Sequence, residues 1–313
     1  MTQATTNAAS AKAGLQHVVL VGGAQGFNWL PVFIARNQGL FEQHGLNVEL
    51  RRLGSLEKAT AAVRDGEADL AISPPEGALA NAAAGGNLRV IGANANCLPL
   101  TLVAKPKYKR VEDLKGAVLG TSSLKEGTAI YTQVMLEKHG LHFPGDYDFA
   151  MAGVHQDRWT ALQAGTIDAA VQPPPFNFLA LDAGFSNLGE VSDYVPQLAF
   201  TTLLARADWL QTHGDAVLAL MRAVGEAIRM VYEGQHDRDI VAPVMAEITQ
   251  TDMNYAQRAL DYMRGKGAFA KSFVIPDAAI ETTLSLMVKH GLLAADAIDK
   301  ARAGVDMRLA SQV

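Results

Sequence analysis

The sequence predicts an α/β protein of two doubly wound α/β lobes joined by a two-strand hinge, with a helical C-terminus. Three observations carry this reading. Short β-rich runs alternate with helical stretches through short loops, the pattern of a mostly parallel sheet covered on both faces. A supersecondary unit then recurs: "GEADLAISPPEG" from Gly66 is echoed by "GTIDAAVQPPPF" from Gly165, with Asp69 and Asp168 separated by 168 − 69 = 99 residues. Two extended stretches, near Thr101–Lys105 and Thr201–Arg206, pass between the copies. Two similar lobes linked in this way make a hinge and leave a cleft between them.

Residues 1–15 are polar and rich in small side chains, and a flexible tail is expected there. "HVVLVG" reads as a buried strand closed by the glycine-rich "GGAQG". "PVFIARNQGLFEQHG" reads as one helix, with Pro31 in its first turn and Gly45 at its C-terminal cap. "NVELRRL" is a strand, and "SLEKATAAVRDG" a helix capped by Ser55 and ended near Gly66. "ADLAIS", "PEGALANAAAGG" and "LRVIGAN" supply strand, helix and strand. After "LPLTLVAKP" the chain begins again. "AVLGTS" is a strand, "GTAIYTQVMLEKHG" and "HQDRWTALQAG" are helices, "IDAAVQ" is a strand and "PPFNFLALDAG" a helix. "FTTLLARADWL" makes the second crossing, and the remainder reads as helices. The expected division is lobe 1 over residues 16–103 plus 204–313, with the C-terminal helices packed on it, and lobe 2 over residues 104–203. Asp69 and Asp168 suit backbone donors in the turns that enter each repeated strand.

The bulk numbers exclude several classes. Of 313 residues, 49% are hydrophobic and 19% charged, with a net charge of −5. No global basic field draws such a chain to nucleic acid. One cysteine, Cys97, leaves no internal disulfide or multi-cysteine metal site. No apolar run approaches the roughly 20 residues of a membrane helix, and the N-terminus lacks the apolar segment of a signal peptide. No cofactor, no metal and no membrane insertion are expected, and a monomer is.

In open parallel sheets, ligands collect at the carboxyl ends of the strands, where loops and helix N-termini converge. Applied to each strand, that rule selects Gln25, Phe27, Asn28 and Trp29 after the first. It adds Ser73, Pro75 and Glu76 after "DLAIS", then Asn94 and Asn96 after "LRVIGAN". The second lobe contributes Thr121, Ser122, Ser123 and Thr128 from "TSSLKEGT", His155 and Arg158 at a helix start, and Gln172, Pro174 and Phe176 from "QPPPF". The "TSSLKEGT" loop gathers hydroxyls just before a helix N-terminus, where free amides suit a carboxylate or sulfonate. Ser123 or Thr128 equally suits a plain helix cap. Arg158 suits an anion or a surface ion pair, and the aromatics suit either ligand walls or the core.

Other motifs fall short. "VLVGGAQGF" lacks the G-x-G-x-x-G spacing of a dinucleotide site. His139 and His142 flank Gly140 without a metal-binding pattern. Glu76, His155 and Cys97 are the residues that would serve if the chain were an enzyme, although no spacing links them.

The phrases "LPVFIARNQGLFEQHGLNVEL", "AAVRDGEADLAI", "EDLKGAVLGTSS", "RWTALQAGTIDAAV" and "ALDAGFSNLGEV", in that order, resemble the substrate-binding components of ABC importers. The resemblance runs from about Gln16 to Ala205 and lies with the aliphatic-sulfonate, taurine and nitrate branch, which includes the NMT1/THI5-like proteins. It implies a type II periplasmic-binding-protein fold that closes on one small solute and hands it to an ABC permease and its ATPase. With the anion-suited loop and the aromatics above, the expected solute is a small organic anion, a carboxylate or sulfonate, with an aromatic body. It also implies that the loops Gln25–Trp29, Ser73–Glu76, Thr121–Ser123 and Gln172–Phe176 contact ligand. A periplasmic location follows if a leader was removed, and a cytoplasmic one otherwise. The pyrimidine-synthase branch has a histidine soon after the first-strand tryptophan and a cysteine-rich motif. Here Pro31–Val32–Phe33 and the lone Cys97 stand instead, which disfavours that activity. The alternative is a cytosolic enzyme on the same fold, a decarboxylase or lyase acting on an aromatic acid.

Overall fold

The computed structural model describes residues 14–24, 26–125 and 127–313. Gln25 and most of the N-terminal stretch lie outside the described residues.

The first sheet grows from alternating strands and helices. β1 (Gln16–Gly22) is followed by a 3-10 turn over Phe27–Trp29, then α1 (Leu30–Asn37) and α2 (Leu40–Gln43). The single helix expected here is broken at Gly39, whose φ of +68° is left-handed and cannot continue a right-handed helix. β2 (Leu46–Arg52), α3 (Leu56–Arg64), β3 (Leu70–Ser73), α4 (Glu76–Ala83) and β4 (Leu88–Ala95) complete the run. Ser55 caps α3 by accepting from the Lys58 amide (3.3 Å).

The second run comprises β5 (Thr101–Ala104), β6 (Val118–Thr121), α5 (Thr128–Glu137), β7 (Asp148–Met151), α6 (His155–Gln163), β8 (Ala169–Gln172), α7 (Phe176–Asp182) and β9 (Ser186–Glu190). The chain returns through β10 (Thr201–Arg206) into α8 (Ala207–Glu233). It ends with α9 (Ala242–Thr249), α10 (Met253–Lys266), α11 (Asp277–Lys289) and α12 (Ile298–Arg302).

The strands form two five-stranded sheets, ordered β2-β1-β3-β10-β4 and β7-β6-β8-β5-β9. In each, β1 or its counterpart β6 pairs parallel with both neighbours, while the crossover strand, β10 or β5, inserts antiparallel. The two sheets thus have the same strand plan. Each repeated aspartate does the same work in its own sheet. Asp69 accepts from the Val19 amide (2.8 Å) and Asp168 from the Val118 amide (3.0 Å), and 118 − 19 = 99 again. The echo in the sequence is a strand-to-strand clamp made twice.

The C-terminal helices pack on the first sheet. Ile280, Leu284 and Met287 of α11 are buried with Val21, Val90 and Ala93, while Leu220, Val224 and Ile228 of α8 share a core with Ile34 and Phe41. They also reach the second lobe. Tyr255 donates to Asp182 (2.9 Å), joined there by Arg258, and Lys289 pairs with Glu137 while His290 meets Gln133 (3.1 Å). A further contact, Gln156 to Gln250 (2.8 Å), spans the lobes nearby. These bonds hold the lobes against each other across the cleft. No helix among the described residues is long and apolar enough to cross a membrane.

Candidate functional site

Between the lobes lies a cleft with about 490 Å³ of space not filled by atoms, part of it open to solvent. Lobe 1 supplies Asn28, Leu56, Ile72, Ser73 and Pro74, and lobe 2 supplies Ser122, Gly127, Thr128, Val154, His155 and Arg158. The segment entering β10 adds Phe200 and Thr201. The walls are thus largely apolar, with a small set of polar groups, the usual make-up of a small-molecule site.

Arg158 dominates its electrostatics. It sits in the first turn of α6, is 1% exposed, and is the one charged side chain among the described lining residues. Its Nη1 donates to the Gly153 carbonyl (3.2 Å) and its Nη2 to His155 Nδ1 (3.1 Å), while Nε has no partner among the described residues. Among the described residues, no carboxylate lies within ion-pair distance of it. Burial draws its pKa from 12.5 down to about 10, so the cation persists at neutral pH. Burial, with Arg158 and then Arg52 nearby, draws His155 down to about 3, so its imidazole is neutral.

Asn28 is the second unsatisfied group. It is 8% exposed and lines the cleft, and among the described residues neither its Oδ1 nor its side-chain nitrogen makes a hydrogen bond. Its backbone is held from behind: Asn94 Nδ2 donates to the Asn28 carbonyl (2.7 Å), and Asn94 Oδ1 accepts from Thr201 Oγ1 (2.8 Å). Asn94 therefore positions two lining residues without lining the cleft itself. Gln172 does similar work for α6. With its carboxamide oriented to satisfy both ends, it donates to the His155 carbonyl (3.2 Å) and accepts from the Trp159 amide (3.0 Å).

Of the residues selected from the sequence, Asn28, Ser73, Ser122, Thr128, His155 and Arg158 converge on this cavity. Phe176 stands at the adjoining mouth with Arg52, Gly26 and Ile248. Phe27 stacks on Phe200 at 6.1 Å and tilts against His155 at 6.1 Å, one layer behind the wall. Thr121 turns inward on its own loop, donating to the Ser123 carbonyl (3.0 Å), while Ser123 Oγ accepts from the Lys125 amide (3.0 Å) and bonds Glu57 of the opposite lobe. Trp29 is 0% exposed and belongs to the core, where it tilts against Phe33. Pro75 caps α4 and Pro174 is not among the lining residues. Asn96 faces a separate depression beside Pro196 and Pro276. Gln25 lies outside the described residues.

Glu76, His155 and Cys97 do not share the cavity; His155 alone lines it. Glu76 is fully buried and accepts from Tyr131 of the opposite lobe (2.6 Å), with burial pushing its pKa up. Burial also pushes the Cys97 thiol up to about 11, away from the thiolate a nucleophile needs. Among the described residues, no cluster of histidine, cysteine or carboxylate side chains has the make-up of a metal site.

The lining residues the sequence did not select are Ala24, Leu56, Ile72, Val154, Phe200 and Thr201, while Pro74 falls within the Ser73–Glu76 loop and Gly127 within "TSSLKEGT". Phe200 and Thr201 enter on the return crossover, which reads in the sequence as hinge alone.

Comparison with known proteins bears on the fold and the family. The chain is similar to a Bacillus subtilis protein described as a binding protein, YtlA, at 21% identity over 277 residues, covering 85% of this chain and 80% of that one. It superposes on the alkanesulfonate-binding protein SsuA of Xanthomonas axonopodis pv. citri, bound to MOPS, with a TM-score of 0.75 at 18% identity, covering 93% and 98% of the two chains. The periplasmic nitrate-binding protein NrtA of Synechocystis PCC 6803 gives 0.79 at 13% identity, covering 95% and 89%. These likenesses establish the periplasmic-binding-protein fold. The NMT1/THI5-like description itself matches residues 26–237, well over half of the chain, and the protein belongs to the NMT1/THI5-like family.

Proposed function

We propose that this protein is the solute-binding component of an ABC importer and that its lobes close on a small organic anion, a carboxylate or sulfonate with an apolar or aromatic body. One observation carries the reading: a fully buried guanidinium, unpaired by any described carboxylate, faces the cleft between two hinged lobes. A desolvated cation of this kind is costly unless an anion joins it. The N-terminal turn of α5, at Gly127 and Thr128, adds amide donors and the positive end of a helix dipole. Leu56, Ile72, Val154 and Phe200 provide apolar surface for the rest of the solute. The family and the sulfonate- and nitrate-binding neighbours support the same class.

In the mechanism, residues 96–100 and 191–200 link the sheets, and the lobes swing about them. Ligand stabilises the closed state by contacting both walls at once, so its differential affinity for that state sets the population. The closed complex is then recognised by a permease, and this places the protein on the outer side of the cytoplasmic membrane. The separation of Cys97, Glu76 and His155 gives the enzymatic alternative no assembled centre.

The test is a thermal-shift and calorimetric screen of carboxylates and sulfonates, followed by mass analysis of the recovered ligand. Stabilisation by an organic anion recovered unchanged is the expected result. Binding confined to cations or neutral solutes, or recovery of an altered compound, would refute the proposal.

A further inference from the structure

We propose that Arg158 and His155 form a single-charge anion receptor, in which the guanidinium fixes the imidazole as a neutral Nε2–H donor and the cleft selects organic monoanions over dianions. This rests on the anion reading above and sharpens it to a charge class.

The lock follows from donor counting. A guanidinium has donors and no acceptor. Arg158 Nη2 lies 3.1 Å from His155 Nδ1, so Nδ1 must accept. An imidazolium has no acceptor, and the Nδ1–H tautomer would set hydrogen against hydrogen. The proton therefore sits on Nε2. That nitrogen has no hydrogen bond among the described residues, and the ring lines the cleft.

The surroundings of the ring agree. Arg158 faces it from its own helix and Arg52 from the end of β2. Among the described residues, Ala24, Gly26, Phe27, Val154, Gln156, Phe176 and Ile248 also stand around it and carry no charge. Asp157, the nearest carboxylate along the chain, turns back to accept from the Val154 amide (3.3 Å). His155 is also the first residue of α6, where the helix dipole disfavours a cation. With the ring neutral, Arg158 is the one charged side chain of the described cavity lining, and Arg52, at the adjoining mouth, is exposed to solvent. A second negative charge on the ligand would be desolvated without a partner.

Two measurements test this. The first is imidazole 15N–1H correlation spectroscopy on the ligand-free protein, assigned with His155→Gln. A neutral Nε2–H tautomer from about pH 5 to about pH 8 is expected; an imidazolium or an Nδ1–H tautomer in that range overturns the lock. The second compares isosteric sulfonate and phosphonate pairs with methyl, butyl and phenyl bodies, since the second ionisation of a phosphoryl group lies near neutrality. Sulfonate affinity should be flat with pH. The matching phosphonate should bind about tenfold or more weaker at about pH 8.5 than at about pH 5.5, where it is a monoanion. Equal binding of a pair at the higher pH overturns the charge selectivity alone, whereas failure of every sulfonate, phosphonate and carboxylate to bind overturns the anion reading itself.

Discussion

Replacing Arg158 with methionine should separate binding from folding. Methionine keeps much of the length and apolar stem while removing the charge. At every pH below about 10 the folded protein holds this cation in a buried site. The drop from 12.5 to about 10 corresponds to a penalty of about 3 kcal/mol for the charged form. Against it stand two hydrogen bonds, to the Gly153 carbonyl and to His155, each worth about 1.5 kcal/mol for a charged donor. The two nearly cancel, so ligand-free stability should change by no more than about 1 kcal/mol. Affinity has no such compensation. Losing a buried charge-assisted contact to the ligand is worth about 1.5–3 kcal/mol, or about a 10- to 150-fold rise in Kd. Denaturant unfolding and titration calorimetry with whichever organic anion binds best would measure both. A stability loss above about 3 kcal/mol with unchanged affinity would show that Arg158 is a structural strut, and the reasoning would fail.

Other sites give independent readings. Gly26→Ala would place a Cβ about 2.9 Å from the His155 ring across the cleft, opposing closure. Affinity should fall about fivefold or more with little change in melting temperature; unchanged affinity would show that the lobes close elsewhere. Asn94→Ala strands the Asn28 carbonyl and the Thr201 hydroxyl in a fully buried site, which should cost about 2–4 kcal/mol in denaturant unfolding. Asp182→Asn removes the rim pair with Arg258, whose partners are over a third exposed, so the effect should be only about two- to fivefold on Kd at low salt and vanish at high salt. The Val118 amide and Lys105 hold the Asp168 carboxyl below its ordinary value of 3.8 against its partial burial. A depressed carboxyl stabilises the fold above its unfolded pKa, and the contribution is lost as pH falls through the folded one. Asp168→Asn should therefore flatten the acid limb of a stability–pH curve below about pH 4 and cost about 1–2 kcal/mol at neutral pH.

The fold was legible because its signals are local. Buried runs such as "HVVLVG" and "ADLAIS" carry β character in consecutive residues, and Ser55 marks a helix start by its cap. β7 and β9 escaped notice for a physical reason: "DFAM" and "SNLGE" are short, part-exposed edge strands without an apolar run. The site was legible to the level of its loops. The rule that ligands gather at strand ends finds Asn28, Ser73, Ser122, His155 and Arg158. It does not distinguish a side chain that faces the cleft from one that supports it, as Asn94 and Gln172 do. That choice depends on which way a residue points at a strand end, and on partners that for Asn94 lie 66 and 107 positions away. The apolar wall made by Phe200 was hidden because a crossover strand has no counterpart in the helix–turn–strand repeat.

The placement of the crossover strands also bears on how the chain matures. The second sheet draws all five strands from one continuous stretch, residues 101–190. The first sheet needs β10 wedged between β3 and β4, and β10 comes only at Thr201–Arg206. During synthesis the N-terminal lobe therefore waits, with a gap in its sheet, while the later-made lobe already has its full set. The order of completion runs opposite to the order of translation, and the cleft forms only when the older lobe receives its last strand.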